Sequence, residues 1–184
     1  MTWLAPIAAA TLCVGLGTWL LRAPGPGART GGVGLWITAV GPTFQALDAA
    51  GLAPGSGPGA TNLSALAGWP LLGLGWGLAQ LDEELARRLR PFLFVVLLLA
   101  AMLDPTRGGL VRPVAAVALG VQGLSATRAG LSGARGTATL GLVGASLPLV
   151  LLHSEAPSWG LWLWAVALVP SSLGLRRFEA QRPS

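Results

Sequence analysis

Long apolar runs alternate with short polar connections along this chain. The clearest example is the stretch 137–175, in which two apolar halves are joined by the polar corner His153-Ser154-Glu155. Each half has about the ~20 residues that an α-helix needs to cross ~30 Å of hydrocarbon. Because the corner is so short, the second half must return antiparallel to the first. The pattern therefore predicts a helical hairpin embedded in a membrane.

The same plan repeats through the chain and predicts one domain, 1–184, of seven membrane-spanning helices. We expect them at about 3–22, 32–50, 63–81, 87–103, 109–127, 136–153 and 158–175. The connections 23–31 and 51–61 are rich in Pro and Gly, which is typical of loops. The fourth apolar run, 91–103, reaches bilayer length only if the preceding arginines are helical and extend their side chains to the interface. The predicted fold is an all-α integral membrane bundle.

Composition supports a membrane protein and changes the meaning of the positive charge. The chain is 53% hydrophobic and 10% charged, whereas a soluble domain carries roughly 25% charged residues. All 12 basic residues are arginines, and the net charge is +5. In a soluble chain this charge would suggest nucleic acid. Here the arginines lie between apolar segments, so we interpret them as determinants of membrane orientation and expect no nucleic-acid partner.

The positions of the arginines predict the orientation of the bundle. If successive connections lie on opposite sides, Arg107 and Arg112 share one side. The other ten share the opposite side: Arg22, Arg29, Arg87, Arg88, Arg90, Arg128, Arg135, Arg176, Arg177 and Arg182. Cytoplasmic loops carry the excess of Arg and Lys. The expected protein therefore spans the inner (plasma) membrane several times, with its N-terminus outside and its C-terminus in the cytoplasm.

Three polar residues within the apolar runs are candidates for function: Gln45, Asp48 and Gln122. A carboxylate buried in a membrane is costly and is usually functional. These residues could line a polar path, which would make the protein a small transporter or channel. In the alternative interpretation the second helix ends by Ala46, Asp48 lies at the outer interface, and Gln122 packs between helices.

Two short motifs suggest enzymes but lack the residues that the chemistry requires. Glu83-Glu84-x-x-x-Arg88 is similar to the first motif of intramembrane CAAX-type proteases, which also need several histidines around a metal. The range Gly57–Asn62 is similar to the first motif of membrane glycerol-phosphate acyltransferases, which also need a Lys-rich loop and a histidine. The chain has one histidine, His153, and one cysteine, Cys13. We therefore predict no catalytic residues, no metal site and no enzymatic activity, with a lipid-modifying enzyme as the weakest alternative.

Several stretches, spread in order over most of the chain, resemble the microbial rhodopsins. They are Gly15-Leu16-Gly17-Thr18 in the first helix, Ile37-Thr38 and Pro42 in the second, Pro70 and Leu81-Asp82-Glu83 at the third, and Leu147-Pro148-Leu149-Val150 with Ser154-Glu155 at the sixth. The resemblance implies a seven-helix opsin-like bundle with its N-terminus outside.

The resemblance also implies what this chain has lost. The family holds retinal as a Schiff base on a lysine of the seventh helix, but this chain has no lysine, and the matching position is Ser171 or Ser172. The third helix, 63–81, also lacks the family's acidic residues. The expected function is that of a sensor, scaffold or membrane subunit without covalent retinal. Noncovalent retinal or a carotenoid remains compatible with the sequence, and the expected partners are the bilayer and a membrane protein or a second copy of the chain.

Overall fold

In a computed structural model of the protein, the described residues are 4–103, 109–153 and 159–181, with side chains described outside 147–165. Within these ranges the chain is helical and contains no strand. A π-helical turn, Ser64–Gly68, connects the third and fourth helices. The helices are α1 Leu4–Leu21, α2 Pro26–Ala49, α3 Gly57–Leu63, α4 Trp69–Leu78, α5 Glu83–Leu103, α6 Val111–Leu131, α7 Arg135–His153 and α8 Trp159–Ala180.

The all-α prediction is confirmed for the described residues. Because α3, the π turn and α4 run on without a break, the helices form seven rods, each overlapping one predicted segment. Among the described residues, α1 and α6 are by length and composition long and apolar enough to cross a membrane.

Three rods begin several residues earlier than the sequence predicts, and in two of them Pro and Gly open a helix instead of forming a loop. Helix α2 begins at Pro26 instead of residue 32, with proline in the first turn, where its missing N–H costs nothing. Helix α3 begins at Gly57 instead of residue 63, again with proline in the first turn. Helix α5 begins at Glu83, so the arginine-rich end before the fourth apolar run is helical, as its length requires.

Six rods form a closed ring, and α5 lies outside it. Going round the ring, α1 packs on α2, α2 on α4, α4 on α6, α6 on α7, α7 on α8, and α8 returns to α1. Helix α5 packs against the π turn and the adjoining helices through Leu97 and Ala101, which meet Leu66 and Leu71. The helices therefore follow one another round the ring in chain order, except that α5 is left out and α4 packs directly on α6.

Glycines set the distances between the rods. A Cβ on Gly17 of α1 would lie 2.9 Å from the carbonyl oxygen of Gly32 in α2. A Cβ on Gly75 of α4 would lie 2.7 Å from the carbonyl oxygen of Gly27 in α2. Small residues let membrane helices approach closely, so that dispersion contacts and interhelical hydrogen bonds can hold them together.

Contacts at one end of the bundle bring together the ends that the sequence assigns to the cytoplasm. Arg176 of α8 lies 4.1 Å over the ring of Trp19 in α1. Gln80, just after α4, donates to the Ser125 carbonyl near the end of α6 at 2.8 Å. We call this the arginine end; its described arginines are Arg22, Arg29, Arg87, Arg88, Arg90, Arg128, Arg135, Arg176 and Arg177.

The opposite end carries Arg112, at the start of α6. Arg107 and Arg182 lie outside the described residues. The described arginines are therefore separated between the two ends as the alternation of helices predicts.

Candidate functional site: a buried polar cluster at Ser171

Gln122, in the middle of α6, connects three helices. Its side chain is buried, and its Nε2 donates to the Gly141 carbonyl of α7 at 3.0 Å and to Ser171 Oγ of α8 at 2.7 Å. Burying an amide without hydrogen-bond partners would cost several kcal/mol, on the order of 2–7. This pair of bonds therefore favours one register of α6 against α7 and α8.

Trp76 brings a fourth helix to the same serine. Its indole Nε1 donates to the Ser171 carbonyl at 3.2 Å, and the ring is completely buried. The Trp76 ring system also stacks against Phe178 of α8, with centroids 6.2 Å apart. Ser171 is thus the point at which α4, α6 and α8 meet through side-chain hydrogen bonds.

Glycines of α7 and α8 make the room for this indole. A Cβ on Gly141 would lie 2.8 Å from Trp76 Cη2, and a Cβ on Gly174 would lie 2.8 Å from Trp76 Cζ2. A Cβ on Gly144 would overlap Ser171 Oγ and lie 2.9 Å from the Ser171 nitrogen. The cluster is therefore closely packed on the sides that face α7 and α8.

Ser171 and Ser172, the two positions that resemble the retinal lysine, have different surroundings. Ser171 Oγ accepts from Gln122, whereas Ser172 Oγ is buried without a hydrogen-bond partner in the described structure. Trp76, Gln122 and Gly144 occupy the space beside Ser171. In this conformation, protein atoms occupy the space directly beside the Ser171 side chain.

Gln45 and Asp48 lie apart from Gln122. Both are half-exposed near the C-terminal end of α2, opposite the arginine end. Gln45 Nε2 donates to Thr61 Oγ1 at 2.9 Å, and Asp48 Oδ1 accepts from the Gly55 N–H at 3.0 Å. Helix α2 runs to Ala49, so Asp48 is helical and its carboxylate holds the following loop. The structure brings Gln122 and Ser171 together but does not join them to Gln45 or Asp48.

The two enzyme-like motifs form local structure. Gly57–Asn62 belongs to α3 and is not an open phosphate-binding loop. Glu84 forms an exposed ion pair with Arg88, one turn further along α5. No group of metal-binding side chains was found among the described residues. The side chain of His153 lies outside the described side chains.

Two residues that are central in the structure, Trp76 and Glu179, were not predicted from the sequence. Trp76 lies in a glycine-rich stretch, and its position between Gly75 and Gly77 was the available signal. Glu179 of α8 accepts from the Gly27 N–H at 2.8 Å and the Ala28 N–H at 3.1 Å, and so caps α2. No local signal in the sequence connects a C-terminal glutamate to a helix 151 residues earlier.

Comparisons of the chain with protein-family models, with curated proteins and with solved structures gave no match. The class that the described structure defines is a helical bundle with two candidate membrane-spanning helices. The resemblance to the microbial rhodopsins rests on the residues of this chain alone.

Proposed function

We propose that the protein is a seven-span protein of the inner membrane that serves as a non-enzymatic scaffold or subunit. Its arginine end faces the cytoplasm and its N-terminus lies outside. One observation carries the proposal: the described structure exposes many large apolar side chains, while a few polar side chains are buried within its mainly apolar core. Buried Gln122, Ser171 and Thr38 lie inside, whereas large apolar side chains are exposed along the rods.

Among the described side chains, the apolar exterior is most extensive on α5. This helix exposes Phe92, Val95, Leu99, Met102 and Leu103, and Leu103 is 81% exposed. A soluble monomer seldom exposes a contiguous apolar patch of more than a few hundred Å². A bilayer, or a neighbouring membrane protein, would cover such a face without cost.

The lengths of the rods are consistent with spanning. The rod from Gly57 to Leu78 would extend about 33 Å at 1.5 Å per residue, close to the ~30 Å hydrocarbon thickness. Its π turn leaves no gap in the helical backbone, as a lipid environment requires. The remaining rods range from the 18 residues of α1 to the 24 of α2.

The packing of the interior favours a scaffold or subunit role. It favours this role over retinal sensing and over transport along a path through Gln45, Asp48 and Gln122. Trp76, Gln122 and Gly144 pack against Ser171, and Asp48 is bound to its own loop. The cluster therefore acts by fixing the helices against one another. The resulting rigid bundle offers its outer face, especially α5, to a membrane-protein partner or a second copy.

Impermeant cysteine labelling tests the orientation. Cys13 is replaced by Ala, and single cysteines are introduced as Leu52→Cys, in the connection after α2, and Ser132→Cys, between α6 and α7; both positions are exposed. In intact spheroplasts a membrane-impermeant maleimide should label Leu52→Cys only, and Ser132→Cys should react after lysis. Equal or reversed labelling would overturn the proposed topology.

Crosslinking of the Met102→Cys variant to a partner or to a second copy tests the subunit role. If no crosslinked product forms in membranes at native expression, the subunit role is contradicted.

A further inference from the structure

A groove opens between α2 and α5 at the arginine end. Its volume is about 490 Å³, and it reaches from the last residue of α1 to the ring of Phe94 in α5. Three arginines line it, Arg29 from α2 and Arg87 and Arg90 from α5. Its other walls include the apolar side chains of Val33 and Phe94.

The three arginines have no acidic partner within the described part of the chain. The ion pair found there on α5 joins Glu84 to Arg88, which does not line the groove. Arg29 Nε donates to the Ala23 carbonyl at 3.2 Å, which uses one of the five guanidinium N–H donors. Three like charges around one groove repel one another, so a bound anion would stabilise them.

Charge and apolar surface follow one another along the groove. On α5 the lining positions Arg87, Arg90 and Phe94 are three and four residues apart and so share one face of the helix. On α2, Val33 lies one turn beyond Arg29, further from the arginine end. The groove is therefore cationic at its outer end and apolar toward the middle of the bundle. This order matches an amphiphile that has an anionic head and a hydrocarbon tail.

We propose that the groove binds an anionic phospholipid, with the phosphodiester at Arg29, Arg87 and Arg90 and an acyl chain along Val33 and Phe94. Guanidinium groups form paired hydrogen bonds with phosphate oxygens, and basic pockets between membrane helices on the cytoplasmic side bind anionic head groups. This inference rests on the proposed membrane embedding. It assigns these three arginines a role beyond orientation.

Native mass spectrometry of delipidated protein in detergent tests the site, with phosphatidylglycerol and phosphatidylcholine as probes. The wild-type protein should retain phosphatidylglycerol at least about tenfold better than phosphatidylcholine. R29Q/R87Q/R90Q should lose this preference. The matched control R128Q/R135Q/R177Q removes the same charge from other grooves at the same end and should keep it. Equal losses in both variants, or no preference in wild type, would overturn the site.

Further experiments distinguish a lipid site from a free-anion site, and a failure of the lipid site from a failure of the membrane embedding. Glycerol phosphate at millimolar concentration should not displace the lipid; displacement would mean that the groove binds a free anion and would overturn the lipid assignment. If the triple variant does not fold, R87Q/R90Q alters exposed residues only and should still weaken binding. Extraction of wild type from membranes by alkaline carbonate would contradict the membrane embedding itself. Retention in the membrane without lipid preference would contradict this inference alone.

Discussion

At the scale of single residues, the absence of a side chain at Gly144 permits α7 to approach α8. The Ser171 hydroxyl lies where a Cβ on Gly144 would be, and this hydroxyl is also the acceptor for Gln122. A methyl group at residue 144 would therefore push on a hydrogen-bonded atom that cannot rotate away without losing its partner. The glycine and the polar cluster depend on each other.

Gly144→Ala should destabilise the protein by about 1–3 kcal/mol, because overpacking forces helices apart. Gly120→Ala is the matched control, since a Cβ there meets no atom within 4 Å. In that variant alanine should leave stability unchanged or raise it by roughly 0.5–1 kcal/mol. Thermal unfolding in detergent, followed by circular dichroism, measures both. Equal melting temperatures for the two variants would refute the close packing at Ser171.

At the scale of elements, the π turn between α3 and α4 lies against the proline-containing part of α2. The Ser64 hydroxyl, in the first residue of that turn, accepts from the Gly41 N–H at 2.7 Å. Its own proton points to the Ala60 carbonyl at 3.1 Å or the Ile37 carbonyl at 3.4 Å. Gly41 directly precedes Pro42, where α2 lacks a backbone donor. The serine thus connects two irregular helical segments.

Ser64→Ala should cost about 1–3 kcal/mol, because the buried Gly41 N–H loses this acceptor. Ser146→Ala provides the control: within the described structure, that exposed hydroxyl donates to the Val143 carbonyl of its own helix, at 3.1 Å. Its replacement should change stability by less than about 0.5 kcal/mol. Denaturant or thermal unfolding in the same detergent compares them. A Ser64→Ala protein as stable as Ser146→Ala would show that the hydroxyl is dispensable.

The seven segments were predictable because each depends on a local run of apolar residues, and each overlaps a rod of the structure. The early starts of α2 and α3 were not, since proline and glycine open helices as readily as they form loops. Gln122 and Ser171 were both singled out from the sequence. Their contact was not predicted, because it depends on how α6 and α8 are rotated about their axes.

At the scale of the whole molecule, the ring is closed between its first and last members. Glu179 near the end of α8 caps α2, and Arg176 lies over Trp19 of α1. A carboxylate at a helix N-terminus also interacts favourably with the helix dipole. These contacts connect the C-terminal helix to the first two and keep the arginine ends together. The interior that they enclose is occupied around Ser171 by Trp76 and Gln122.

This packing predicts that all-trans retinal, added to the purified protein, produces no red-shifted visible band. The spectrum should be the sum of tryptophan absorption and free retinal, since protein atoms fill the space beside Ser171. An opsin that binds retinal, purified in the same detergent, serves as the positive control. A red-shifted band would instead indicate a noncovalent pocket and would favour the sensory version of the function.

The sequence by itself determined the helical class, the approximate segments and the separation of the arginines, because apolar runs and loop charges are properties of short stretches of chain. Tertiary structure decided that α5 lies outside the ring, that Trp76 and Gln122 meet at Ser171, and that Glu179 caps α2. These contacts join residues 49 to 152 positions apart. These contacts depend on how each helix is rotated about its axis and on how closely helices approach at glycines. Neither property can be predicted from a short stretch of sequence.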